Sequence, residues 1–141
     1  MKHRNRGFTL VELMIVIAIL AIVLSIAIPA YQIFSVRARV AEGLNMAAAA
    51  KFAVADSFVD QGAVPDQAAT GYDFGDPTRY IAGIRIAGNG SGTITVTTRN
   101  TGARPDIVVL LEPRLVAGRP IQWNCRLARG GPRYVPASCR D

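Results

Sequence analysis

Few side chains in this 141-residue chain are equipped for chemistry, and most of those lie near its two ends. His3 is the only histidine, and Cys125 and Cys139 are the only cysteines. No Ser/His/Asp triad, Cys/His pair or metal-ligand set can be assembled from them, so no enzymatic activity, cofactor or metal is expected. Asp66, Asp73 and Asp76 have a spacing unlike an EF-hand and read as a flexible acidic loop. Gly88, Gly90 and Gly92 in GNGSG look at first like a phosphate cradle. A β-like run follows them instead of a helix, so they read as a tight turn. What remains is the pairing of two thiols and the chemistry of one carboxylate, Glu12, set inside an apolar run.

That run is FTLVELMIVIAILAIVLSIAIPA, residues 8–30. From Leu13 to Ile28 the only non-apolar residue is Ser25, and the stretch reaches the roughly 20 residues needed to span a bilayer. Lys2, Arg4 and Arg6 precede it and should stay cytoplasmic, leaving the C-terminal part outside. A secretory signal carries its small-residue cleavage site after the apolar run. Here the candidate processing point, Gly7 before Phe8, comes first, so cutting there removes the basic leader and keeps the membrane segment. Phe8 would then carry a free α-amine, one helical turn from Glu12. An ionised carboxylate in hydrocarbon is costly unless paired, which marks it as functional. Two roles are open: Glu12 serves its own helix N-terminus or the membrane interface, or it pairs with the α-amine of a neighbouring copy and sets axial register.

The stretch RGFTLVELMIVIAILAIVLSIAIPAY resembles the start of a type IV prepilin, of the short-leader kind that assembles into type IVa pili. Gly7, Phe8, Thr9, Leu10, Val11 and Glu12 match its processing and methylation motif, and Pro29 and Tyr31 fall where the family has them. The resemblance implies cleavage between Gly7 and Phe8, N-methylation of Phe8 by the same inner-membrane peptidase, and assembly through Glu12.

Beyond the anchor, Pro29 should kink or stop a helix, yet residues 31–60 keep a helical pattern. Ile33, Val36, Val40, Leu44, Ala47, Val54 and Phe58 form one stripe. Phe34, Ala38, Ala41, Ala48, Phe52, Ala55 and Val59 form a second, smaller one, which suggests that the helix packs on its own head and on something else. A helix from about Phe8 to about Asp60 would be of order 80 Å long, a length that points to a membrane span or an assembly. Gly43 is its weak point, by close packing or as a hinge. Arg37, Arg39 and Glu42 read as inter-subunit partners or as solvated or headgroup-facing charges.

Residues 61–78 are rich in Gly, Pro and Asp and read as a connecting loop. Strand-like runs follow at 79–87 and 93–99 around the GNGSG turn, then at 106–111 and 121–127, with Pro113 and Pro120 bounding the last turn. Cys125 and Cys139 in an extracytoplasmic head should form one disulfide, although two free thiols are the alternative. Closing a loop of about 15 residues contributes roughly 3 kcal/mol in the chain-entropy model. The enclosed segment lacks the patterning to hold itself in place. Trp123, Cys125, Tyr134, Pro136 and Cys139 also resemble the W-x-C…Y-x-P-x-x-C arrangement at the C-terminal end of type IVa pilins.

The expected fold class is therefore α+β: a long N-terminal helix packed on a four-stranded antiparallel sheet, with a C-terminal disulfide loop. Its parts are a leader (1–7), a membrane or fibre-core helix (8–30), the amphipathic half of the same helix (31–60), and a head (61–141) containing the loop 125–139. An apolar fraction of 50% with 18% charged residues excludes a disordered tail or a collagen-like fibre. The formal charge of +6 falls to +3 once Lys2, Arg4 and Arg6 are gone. Arg126, Arg129 and Arg133 belong to a basic C-terminal stretch suited to non-specific contact with DNA or an anionic surface, or to an ordinary solvated face.

The resemblance implies the major structural subunit of a type IV pilus, a homo-oligomeric fibre for adhesion, twitching motility and DNA uptake. Its partners would be the prepilin peptidase and methyltransferase, the inner-membrane assembly machinery, and host or abiotic surfaces. The subunit would sit in the inner membrane with its head in the periplasm, and become extracellular on assembly. A minor pilin, a type II secretion pseudopilin and a lone membrane-anchored binding module are the alternatives. The cysteine pair argues against the pseudopilin, and the Gly7–Phe8 junction with Glu12 against the binding module.

Overall fold

Thr9 opens the first helix with a capping box. Its backbone N–H and hydroxyl donate to Glu12 Oε2 at 2.9 and 2.7 Å, and Glu12 N–H donates back to Thr9 Oγ1 at 3.2 Å. A computed structural model of the chain describes residues 7–62, 66–116 and 119–140. Most of the expected leader, part of the expected 61–78 loop, and Asp141 lie outside the described residues. The chain divides into two units, Met1–Ile33 and Phe34–Asp141.

Helix α1 runs Leu10–Met46, with Pro29 inside it. The helix runs on through Pro29, as the single helix expected over 8–60 requires. Proline removes the donor to the Ser25 carbonyl, a loss that apolar spanning helices tolerate. Helix α2 runs Ala48–Gln61 and ends at Gly62, whose left-handed φ of 64° lets its N–H reach the Phe58 carbonyl at 3.0 Å. Only Ala47 separates the two helices. The bonds Ala47 N–H to Gly43 O (3.0 Å) and Lys51 N–H to Ala47 O (2.9 Å) carry the helical pattern past it. The single helix expected over 8–60 is thus two segments in register, and the step falls at Ala47 instead of Gly43.

Within the first unit, every described residue from Gly7 to Gln32 is exposed. Ser25 settles its hydroxyl on the Ile22 carbonyl at 2.7 Å, as a polar side chain in an apolar helix must.

The second unit has a closed core. Strands β1 (Ile81–Ile86), β2 (Ile94–Thr98), β3 (Val108–Arg114) and β4 (Gln122–Arg129) form an antiparallel sheet in the order β1-β2-β3-β4. Ile81, Ile84, Ile86, Ile94, Val96, Val109 and Leu111 are buried along it. Against them lies a helical stripe of Val36, Val40, Gly43, Ala47, Ala50, Val54 and Ser57, spaced alternately by four and three. Four of these were expected. Gly43 was expected by close packing or as a hinge, and Ala50 and Ser57 were not expected on this stripe, because small residues carry little hydropathy. Their smallness is what brings helix and sheet together: a Cβ on Gly43 would lie 2.6 Å from Ile81 Cδ1 and 3.0 Å from Val96 Cγ1. Gly43 is therefore a close-packing residue.

Other expectations change in detail. The 61–78 segment contains a one-turn helix α3, Gln67–Thr70, capped by the Asp66 carboxylate, which accepts from Ala69 N–H at 2.8 Å. Gln67 then ties this turn to the sheet, accepting from Ile86 N–H at 2.6 Å and donating to the Tyr72 carbonyl. Strand β3 continues through Pro113, opposite Trp123, so Pro113 does not bound the turn. A proline is admissible there because the β2–β3 ladder has already ended at Leu111. The GNGSG segment is the expected hairpin turn: Ala87 N–H closes on Thr93 O at 2.8 Å, and Gly90 and Gly92 take positive φ.

Candidate functional site

Two surfaces and one covalent bridge carry the functional residues. The first surface is the exposed start of α1. Gly7 is exposed, and Phe8 is 76% exposed, so the Gly7–Phe8 bond is open to a protease. Glu12 faces its own helix terminus, the first of the two roles open from sequence. Both recorded hydrogen bonds reach Oε2, and among the described residues none reaches Oε1. Thr9, which the sequence reading passed over except as a motif residue, holds the carboxylate in place. The signal was present in the spacing T-x-x-E. Glu12 also lies in the first turn, where the helix dipole favours negative charge.

The second surface is the outward stripe of the helices within the head unit. Phe34, Phe52 and Val59 are 63%, 71% and 79% exposed, and Ala38 and Ala48 are exposed between them. The second apolar stripe expected from sequence is thus left uncovered by the head's own sheet. Soluble monomers rarely display contiguous apolar surface on this scale.

The bridge is the Cys125–Cys139 disulfide, with Cα atoms 4.5 Å apart. It closes β4 onto a loop of two 3₁₀ turns, Pro132–Tyr134 and Ala137–Cys139. Besides the bridge expected to hold it, the loop is held by contacts with the rest of the head. Val135 at its centre is fully buried, and Arg37 Nη2 donates to the Arg133 carbonyl at 2.7 Å. Arg39 Nη1 likewise donates to the Thr101 carbonyl at 2.7 Å. Both arginines expected at subunit contacts or headgroups are therefore turned onto their own head, and no local sequence signal points to partners so distant in the chain.

The three candidate arginines do not form one patch. Arg126 pairs with Glu112 across the β3–β4 ladder at 2.9 Å. Arg129 lies at the far end of β4, where the ladder shifts register, and Arg133 stacks its guanidinium 4.9 Å from the Tyr134 ring centroid. Beside the disulfide, Lys51 Nζ sits 5.5 Å from the Trp123 ring centroid, over a recess of about 570 Å³. Tyr72, at the end of the α3 turn, has its phenol pushed above the ordinary range, first by burial and then by the Asp73 carboxylate. Among the described residues there is no group of three His, Cys, Asp or Glu placed to hold a metal ion.

Comparison with known proteins agrees with this arrangement at both ends. The family described as "Pilin (bacterial filament)" matches residues 36–140, and the prokaryotic N-terminal methylation motif matches residues 2–28. The chain is 35% identical to the fimbrial protein EcpC of Eikenella corrodens, over all of this chain and 94% of that one. It belongs to the type IV pilin family. Identity to the type IV major pilin protein PilE1 of Neisseria gonorrhoeae is 32%, over all of this chain and 97% of the relative. A fimbrial protein of Pseudomonas aeruginosa is 30% identical over 96% of both chains. The solved type IV pilin of Pseudomonas aeruginosa strain Pa110594 shares the fold, with a TM-score of 0.57, 19% identity, and coverage of 75% of this chain and 98% of that one. The long apolar helix, the four-stranded antiparallel sheet and the C-terminal disulfide are the pilin architecture.

Proposed function

We propose that this pilin is the major structural subunit of a type IV pilus. One observation carries the reading: a helix exposed as far as Gln32, and apolar from Leu13 to Ile28 but for Ser25, follows closely on an open Gly7–Phe8 junction. Such a surface requires a bilayer or other apolar helices around it. Before assembly the subunit is a single-pass protein of the inner membrane, with residues 8–30 as anchor, 31–60 as the amphipathic continuation and 61–141 completing a periplasmic head. A prepilin peptidase cuts after Gly7, removes leader residues 1–7 and methylates Phe8. The same helix then exchanges lipid for neighbouring copies in an extracellular fibre.

Glu12 has the geometry for register. With Oε2 held by Thr9, Oε1 is available to the α-amine of Phe8 in an adjacent subunit, a charge-assisted bond that is strong in an apolar core. The Phe34–Phe52–Val59 stripe extends the contact surface into the head, and Pro29 sits within the packed segment. Adhesion, twitching motility and DNA uptake are roles of the assembled fibre; of Arg126, Arg129 and Arg133, the last two are its cationic groups toward DNA or an anionic surface, since Arg126 is paired with Glu112. That the PilE1 relatives are named major pilins supports the major over the minor role.

The test is to shear cells and analyse the released material by mass. Abundant fibres whose subunit begins at methylated Phe8 are expected. Scarce fibres with this chain as a trace component would make it a minor pilin, and a mature chain beginning after residue 30 would remove the pilus reading.

A further inference from the structure

Arg37 and Arg39 are the first formal charges after Glu12, and they act as struts. Through the Arg133 and Thr101 carbonyls they tie two loops, 99–107 and 130–136, to the first helical turns of the head unit. A methyl group on Gly102 would lie 3.4 Å from Val36 Cγ2 and 3.6 Å from Arg39 Nη1, so the first loop lies directly against this end. The two loops and the end of β4 carry Arg104, Arg129 and Arg133, all exposed. Arg129 is brought there by the register shift between Val108 and Val109, which pairs it with Val108 and leaves Ala128 as the extra residue. Arg104 and Arg129 line one open recess of about 570 Å³, with Asp106 as its only acid. Among the described residues none of the three arginines is in an ion pair. Phe34 is exposed at the same end.

We infer that this end of the head is a seat for anionic phospholipid headgroups, occupied while the subunit waits in the membrane. The inference rests on the membrane-anchored reading above. The chain leaves its apolar run at Phe34, so the end of the head bearing Arg37 is the one covalently tied to the bilayer. An aromatic ring at the interface with cations just beyond it is the arrangement that anionic headgroups attract. Guanidinium groups bind phosphate oxygens in pairs. Arg37 and Arg39 have donors occupied by carbonyls, which leaves the lipid contacts to Arg104, Arg129 and Arg133. DNA fits these residues less well, because they lie on or beside the loops that Arg37 and Arg39 tie to the first helical turns of the head unit, while Arg126 on the sheet is already paired with Glu112.

The experiment is hydrogen exchange of the processed full-length chain in nanodiscs of neutral phosphatidylcholine and of phosphatidylcholine with phosphatidylglycerol. Amides in 99–107 and 130–136 should exchange about tenfold more slowly over the anionic bilayer. The difference should vanish at high salt and in the Arg104→Gln, Arg129→Gln, Arg133→Gln variant. Unchanged exchange of β2 amides (94–98) in that variant shows that it is folded. A single Arg104→Gln change, far from the disulfide loop in sequence, should give a partial effect if the triple variant misfolds. Equal exchange over both bilayers overturns the seat and leaves the pilin reading standing, whereas failure to insert into either overturns both. Protection by added duplex DNA over the neutral bilayer, with none from the anionic one, assigns the arginines to DNA and also overturns the seat.

Discussion

The two units of this pilin solve the same problem in opposite ways. Among the described residues of the head unit, one helical stripe and the inner face of the sheet are buried against each other, with Ile81, Ile84, Ile94, Val96 and Val109 sealed under that stripe, while Phe34, Phe52 and Val59 stay exposed. Residues 7–32 bury none of their side chains. The head therefore carries its stability internally. Among its described residues the apolar helix has its backbone hydrogen bonds, its Thr9–Glu12 cap and the Ser25–Ile22 bond, and its side chains have no apolar cover of their own. A segment built in that way is free to exchange one apolar environment for another, and a bilayer for a bundle of its own kind is such an exchange.

The largest test of this division falls on Glu12. Glu12→Ala should leave the head folded and the subunit processed in the membrane, while sheared fibre drops by more than about tenfold, the order expected when a buried charge pair is broken. Glu12→Gln sharpens the result, because glutamine still completes a capping box but brings no charge. Fibre loss in both variants assigns Glu12 to pairing between subunits. Normal fibre yield from the glutamine variant would reduce it to a helix cap.

A change confined to the head should do the reverse. Gly43→Ala places a methyl group 2.6 Å from Ile81 Cδ1 and 3.0 Å from Val96 Cγ1, an overpacking cost of about 1–3 kcal/mol that the gain of about 1 kcal/mol from replacing glycine in a helix offsets in part. Denaturation of the detergent-solubilised full chain, followed at Trp123 by near-ultraviolet circular dichroism, measures it. The helical signal of the anchor should persist through that transition, and simultaneous loss of both would show the units to be one cooperative block. Full stability would mean that helix and sheet sit further apart than the structure places them.

The smallest effect is at Tyr72. Burial and the Asp73 carboxylate raise its phenol above the usual range, so the folded state favours the neutral form. That contribution is complete below the unfolded value near 10 and is lost as pH rises through the higher folded value. Tyr72→Phe should flatten the alkaline decline in head stability, and an identical decline in both proteins would remove Tyr72 as its source. The side chain is only partly buried, so the change will be modest.

Much of the fold was legible because its signals are local. The anchor is a run of apolar residues behind a basic flank, the hairpin is two alternating runs around GNGSG, and the bridge joins the only two cysteines. The helix N-terminus was equally legible, although T-x-x-E was read for Glu12 alone and its Thr9 half passed over. Other features were not legible for a definite reason. Ala50 and Ser57 face the sheet without hydropathy to announce it, and α3 is too short to have a period. Pro113 lies inside a strand only because the neighbouring strand ends two residues earlier.

The sequence by itself determined which segment is apolar enough to leave water and which thiols pair, since composition and short spacing encode both. Only the tertiary structure decided that Arg37 and Arg39 face inward and that Arg126 is neutralised by Glu112. It likewise decided that Arg104 and Arg129 line one recess. Those outcomes depend on ladder register and on carbonyls more than sixty residues away, and a side chain's neighbours in space are not written in its neighbours along the chain.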